Sequence, residues 1–204
     1  MAKHKVFISY HHFNDQAYKE ELLRLNYLHD IFIDASVDTG GIDDNLSDDA
    51  IRQKIRDEYL RDSTVTVVLV GTDTKNRKHV DWEIYSSMFD GTVNKKSGVL
   101  VIQLPDTGCT TYTAAHGDDE KNTIYPENSN WVSVKTRADY EKRYPYLSDR
   151  IIDNLLQSDA KVSVSNWTRV TDDIEKLRFL INVTFNDRAG CDYDLRRTMR
   201  RANS

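Results

Sequence analysis

The stretch Thr64-Val65-Thr66-Val67-Val68-Leu69-Val70-Gly71 decides the fold. It is rich in β-branched residues, has strand length, and is apolar on both faces toward its end, as a central parallel strand covered by helices on both sides must be. Working outward, Ser47 is a good helix N-cap with Asp48 and Asp49 in the first turn, where negative charge suits the helix dipole. Ile51, Ile55 and Tyr59 mark one face of that helix, which ends near Arg61. On the other side a helix is expected from after Asn76 to about Asp90, with Val80, Ile84 and Ser87 or Met88 facing inward. Gly98 then opens a strand over 99–104 that Pro105 stops. Nearer the N-terminus, 5–10 reads as a buried first strand, and Asn14 or Asp15 caps a helix reaching about His29. Residues 31–34 read as a short second strand, and the acidic, glycine-containing stretch 37–46 reads as a loop. Four strands alternating with three helices predict βαβ units and an α/β, doubly wound parallel sheet.

Periodicity disappears from Pro105 to about Pro145, where Thr, Asp, Asn, Tyr and Gly dominate. The expectation is an irregular insertion at about 105–146 within one domain spanning 1–204. A short helix is expected over 147–158, a fifth strand over 161–167, and a helix over 171–187 with Ile174, Leu177, Ile181 and Phe185 inward. The basic run Arg196-Arg197-Thr198-Met199-Arg200-Arg201, in a tail at about 195–204, reads as a frayed, solvated terminus.

Composition narrows the partners. A net charge of -5 offers no global basic field for nucleic acid or an anionic membrane. No apolar run approaches the ~20 residues of a membrane-spanning helix, so a cytoplasmic protein is expected, with neither nucleic acid nor membrane as partner. Cys109 and Cys191 lie far apart without a C-x-x-C, which argues against a disulfide framework and a structural zinc site.

In open parallel sheets, ligands sit at the carboxyl ends of the strands. That rule selects Ser9, Tyr10, His11 and His12 after the first strand, Asp34, Ala35 and Ser36 after the second, 71–76 after the third, and the start of the next helix. Neither G-x-G-x-x-G nor G-x-x-x-x-G-K-[ST] occurs, which disfavours a Rossmann dinucleotide fold and a P-loop nucleotidase. The helix after the third strand carries Trp82 and Glu83. A carboxylate beside an aromatic ring, facing the strand ends, is arranged to hold a sugar and offset developing positive charge. By residue type alone, Glu83 reads more readily as a solvated helix residue and Trp82 as a packing residue. Adjacent His11 and His12 point to opposite sides of extended backbone and have no third ligand at suitable spacing, so no metal is expected. The acidic loop lacks the spacing of a calcium-binding helix-loop-helix site. Asp34 lacks the acidic pair that a phosphoacceptor needs after the first strand, since Ser9 and Tyr10 stand there.

Four stretches together resemble a known family: Phe7-Ile8-Ser9-Tyr10-His11, Phe32-Ile33-Asp34-Ala35-Ser36, Val68-Leu69-Val70-Gly71-Thr72-Asp73-Thr74-Lys75-Asn76-Arg77 and Val80-Asp81-Trp82-Glu83-Ile84. Their order and spacing are similar to the TIR-like family of bacterial signalling and anti-phage proteins, of the type that makes the small-molecule signal in Thoeris defence systems. The resemblance spans roughly the first half of the chain. It implies a flavodoxin-like sheet of about five mainly parallel strands flanked by helices. It implies further that NAD is a substrate rather than a bound cofactor, that its nicotinamide-ribose bond is cleaved, and that Glu83 is the catalytic residue. Phe7, Ser9, Tyr10, His11, Asp34, Ser36 and Trp82 are then the expected substrate-binding residues. The implied product is an ADP-ribose-derived, cyclic or conjugated signal that reaches a downstream effector by diffusion, with a homo-oligomer as a further expectation. Related members often carry a tryptophan three or four residues before the glutamate, where this chain has His79 and Val80, so a tryptophan role does not transfer by position. Two other readings stay open: a TIR-like interaction module without turnover, and a transferase acting on other N-glycosidic bonds.

Overall fold

The computed structural model describes residues 3–36, 42–43 and 45–203. Five strands, β1 (Lys5–Ser9), β2 (Ile33–Asp34), β3 (Val65–Val70), β4 (Gly98–Gln103) and β5 (Ser163–Asn166), form one sheet in the order β2-β1-β3-β4-β5. Every neighbouring pair is parallel. This is the flavodoxin-like order, and the direction of winding reverses between β1 and β3, where such sheets bind ligands.

Side chains alternate across a strand, and that alternation assigns the two helical layers. Val65, Val67 and Leu69 of β3 enter a core with Leu22 of α1 (Gln16–His29) and with Leu177, Leu180 and Ile181 of α8 (Ile174–Asp187). Val68 and Val70 pack on the opposite face with Val80, Ile84 and Met88 of α3 (Lys78–Met88) and with Ile151 and Ile152 of α6 (Asp149–Leu155). Along β1, Val6 and Ile8 belong to the first layer. Phe7 belongs to the second, with Ile51 of α2 (Asp48–Lys54), Ile55 and Trp82. Ser9, two residues beyond Phe7, is thereby aimed at α3. Gly98 lets α8 lie close on β4, because a Cβ there would run into the Thr184 backbone carbonyl.

Several elements differ from the sequence expectation. The second strand shortens to Ile33–Asp34, while Ile31 and Phe32 are buried ahead of it. Ser47 caps α2 as expected, accepting from the Ala50 amide at 3.2 Å, but the helix widens into a π-helical turn over Ile55–Tyr59. The helix expected over 171–187 starts at Ile174 as α8, with Asp173 as its cap accepting from the Glu175 amide, and the strand expected over 161–167 shortens to Ser163–Asn166 and is followed directly by a short helix α7 (Trp167–Thr171). The segment expected to be irregular carries α4 (Asp118–Ile124) and α5 (Arg137–Arg143), and Thr113 bridges to Val164 of β5. Seven-residue helices span too few turns for periodicity to register.

The basic tail is not frayed. Arg150 of α6, fully buried, forms a bidentate pair with Asp81 of α3 at 2.8 and 3.0 Å, and also donates to the carbonyls of Arg197 and Thr198. Asp81 Oδ2 accepts from the Arg200 amide at 2.8 Å, the Trp82 indole donates to the Arg200 carbonyl at 2.7 Å, and Met199 is buried beside Phe7 and Trp82. Arg201 reaches Asp48 at the start of α2. The run of like charges gave no sign of this, because its buried attachments are made by backbone groups and one methionine, and the carboxylates that its arginines meet lie far away in sequence.

Candidate functional site

Ser9 ends β1 with its side chain on the α3 face. There its hydroxyl donates to Glu83 Oε2 at 2.6 Å, with both residues buried. Glu83 is only 2 % exposed, and α3 is anchored around it by Val80, Ile84 and Met88 against the sheet and by a hydrogen bond of 2.7 Å between Thr66 and Ser87. A cavity of about 200 Å³ opens on Glu83, walled by Phe7, Ile8 and Tyr10, by His12 in the loop after β1, by Gln16 and Lys19 at the start of α1, and by Ser36. The wall is internally fastened. The Tyr10 hydroxyl donates to Gln16 Oε1 at 2.6 Å and its ring stacks on His12 at 4.5 Å, while Lys19 Nζ lies 5.3 Å from the same ring. Ser36 Oγ accepts from the Ile8 amide at 3.2 Å, tying the end of β2 to β1.

Beside this cavity, the ends of β1, β3 and β4 meet at a second polar cluster. Asp15 is buried, and its Oδ2 accepts from Thr74 Oγ1 at 2.8 Å, which in turn accepts from the Gly71 amide at 2.9 Å. Asp106 Oδ2 accepts from both the amide and the hydroxyl of Thr72. Gly71 lies against both carboxylates: a Cβ there would meet Asp15 Oδ1 at 2.5 Å and Asp106 Oδ2 at 3.1 Å. Burial holds the Asp15 carboxyl above its ordinary range, opposed by the hydrogen bonds from Thr74 and the backbone. The cluster fixes the turn that leads into α3, and so the height of Glu83 above the strand ends.

The model of the family described as Thoeris protein ThsB, TIR-like domain, matches residues 7–108. That is half of the 204 residues, and it holds both Ser9 and Glu83. The chain belongs to this TIR-like family. It is thus a defence-related TIR-like protein with an α/β fold of five parallel strands. No curated protein matches the chain. Among the described residues no helix is long and apolar enough to cross a membrane.

Of the site residues expected from the sequence of this TIR-like chain, Glu83, Ser9, Phe7, Tyr10 and Ser36 come together at the cavity. Three do not. Trp82 is 0 % exposed and enclosed by Phe7, Ile51, Ile55 and Met199, so no ring face is left for a ligand. One residue's rotation along α3 separates it from Glu83, because successive helical side chains point about 100° apart. Asp34 is exposed and lines a wider groove with Lys5, Tyr59 and Arg61; among the described residues it meets the site by accepting from the Ser36 amide at 2.9 Å. His11 lies off the cavity wall, with Nδ1 buried and without a hydrogen-bond partner among the described residues, and burial followed by the charge of Arg77 lowers its pKa. Gln16 and Lys19 were missed. Their spacing of three places them on one helix face, but that face carries the polar residues that ordinarily mark solvent. Asp15 makes no side-chain cap for α1, because its carboxylate is turned to Thr74.

Proposed function

We propose that this chain cleaves the nicotinamide-ribose bond of NAD, with Glu83 as the catalytic carboxylate. The released ADP-ribosyl group then becomes a nucleotide signal, cyclic in the favoured case, that activates a downstream effector. The reading is supported by one observation above the others: a carboxylate almost without solvent exposure, oriented by a 2.6 Å hydrogen bond from Ser9, at the wall of a small cavity at the reversal point of the sheet.

The chemistry suits such a group. Nicotinamide in NAD is a cation, so when the C–N bond breaks, its electron pair goes to the ring nitrogen and no proton is needed for departure. The difficulty is the positive charge that develops on the ribose, in an oxocarbenium-like transition state. A carboxylate preorganised beside the ribose stabilises that charge more than it stabilises the ground state, which is what accelerates the step. Ser9 contributes by fixing Oε2, and the apolar wall of Phe7 and Ile8 strengthens the attraction by excluding water. A cavity of about 200 Å³ is of a size for the nicotinamide and ribose, so the diphosphate would lie toward Gln16 and Lys19 at the rim. Water capture of the ribosyl cation yields ADP-ribose and a proton, whereas capture by an atom of the same molecule yields a cyclic product.

The test is incubation of purified protein with NAD, following nicotinamide release and separating the nucleotide products, in parallel with Glu83→Gln. The expected outcome is release by the parent chain and a loss of at least about a hundredfold in the variant, the scale of removing a principal electrostatic stabiliser. Equal rates in the two proteins, or no release from either while both self-associate alike, would replace this reading with that of an assembly module.

A further inference from the structure

The segment between β4 and β5 builds a cavity of its own, of about 510 Å³, which shares no lining residue with the one at Glu83. It lies wholly beyond the family-matched residues 7–108. Its walls are fixed by the fold: the strand-like stretch at Thr113 is pinned to Val164 of β5 by backbone hydrogen bonds of 2.9 Å in both directions. Opposite stand Lys121 of α4 and Arg143 of α5.

Three features define what this cavity would hold. The first is aromatic. Tyr112 stacks one face on Tyr125 at 3.7 Å, and Trp131 meets both rings edge-on at 5.8 and 5.9 Å, so Tyr112 and Trp131 line the cavity as a rigid two-ring corner. Trp131 is 36 % exposed, against 0 % for Trp82 and 8 % for Trp167. The second is charge. In a chain of net charge -5 the lining includes no carboxylate among the described residues, yet it includes two cations, whereas the cavity at Glu83 and the groove at Asp34 each carry at least one acid. Arg143 is held by donating to the Tyr112 carbonyl at 2.7 Å and the Tyr144 hydroxyl at 3.3 Å, which leaves Nη1 without a hydrogen-bond partner among the described residues. Lys121, paired with exposed Asp118, lies 5.6 Å from the Trp131 ring. The third is amide chemistry: Asn128 and Asn130 both line the wall, with the Asn128 side chain using only its oxygen, toward the Asn130 amide.

We infer that this cavity is a second ligand site, for a nucleoside phosphate. Its base would stack in the corner of Tyr112 and Trp131, the side-chain amides would meet the polar edge of the base, and Arg143 and Lys121 would take the phosphate. Stacking on aromatic rings and charge-assisted bonds to phosphate are the two interactions that every nucleotide offers. A cavity of about 500 Å³ falls within the range of small-molecule sites. The inference does not depend on Glu83 cleaving anything.

Calorimetric titration of the full chain with AMP tests it, with adenosine and inorganic phosphate as separate probes and tryptophan fluorescence as a second readout. Saturable AMP binding is expected, with quenching of the fluorescence. Trp131→Leu, at an exposed position, and Lys121→Gln, at a partly exposed one, should each weaken it about tenfold without lowering the melting temperature, whereas Ser9→Ala should leave it unchanged. Absence of saturable binding overturns the site. So does binding that survives both cavity variants but is lost in Ser9→Ala, since that places the nucleotide at Glu83. Inorganic phosphate binding as tightly as AMP overturns the nucleotide assignment in favour of a bare anion.

Discussion

Ser9 does for Glu83 what a solvent shell does for an exposed carboxylate, but with a fixed direction. Its hydroxyl donates to the carboxylate at 2.6 Å, with both residues buried. A hydrogen bond to a charged buried group contributes about 1.5 to 3 kcal/mol, so Ser9→Ala is expected to slow NAD cleavage by roughly 10- to 100-fold. Steady-state kinetics check this, and the loss should fall on kcat more than on KM, because Ser9 orients the carboxylate rather than the substrate. Glu83 was singled out by the family resemblance, whereas by residue type alone it reads as a solvated helix residue; its burial comes from the rotation of α3 that brings it to Ser9. Trp82 reads by type as a packing residue, and it packs against Phe7 and Met199. Gln16 and Lys19 were hidden for the same reason as the burial of Glu83: polar residues on a helix read as surface until the end of β1 is seen to pass beside them.

At the scale of elements, the alternation of strands and helices, and with it a parallel sheet, was legible because β3 and β4 are apolar on both faces and each is bounded by a glycine or a proline. The turn between β3 and α3 was not, because its order comes from Asp15 and Asp106, which are remote in sequence. That turn has a pH signature. Burial raises the pKa of Asp15 in the folded state, so as pH rises the unfolded chain loses this proton first, and stability declines from the ordinary carboxylate range up to the folded pKa. Asp15→Asn keeps an acceptor for Thr74 and removes the titration. The variant is therefore expected to be at least as stable as the parent at neutral pH, with a shallower decline as pH rises above the ordinary carboxylate range in urea unfolding. A decline as steep as the parent's would show that Asp15 does not carry it.

Across the whole molecule, the Asp81–Arg150 pair joins α3, α6 and the tail, and its partners on every side leave little of either group unsatisfied. Arg150→Met strands a buried carboxylate, which costs about 3 to 5 kcal/mol. In a protein of this size that lowers the melting temperature by roughly 10 °C. The double variant Asp81→Leu, Arg150→Met should recover part of that loss, because a matched apolar pair leaves no charge uncompensated. Differential scanning calorimetry of the parent, the single and the double variant distinguishes an ion pair that fastens the tail from one that is incidental.

The fastening of the tail also sets an order of events during synthesis. The bond from Arg200 to Asp81 closes a separation of 119 residues. A nascent chain exposes all five strands and the Glu83 helix before the residues that clamp that helix have left the ribosome. Closing so long a loop is slow relative to local folding. The pocket of Glu83 is therefore finished late, and a chain interrupted before residue 197 carries its glutamate on a helix whose outer face is still unfastened.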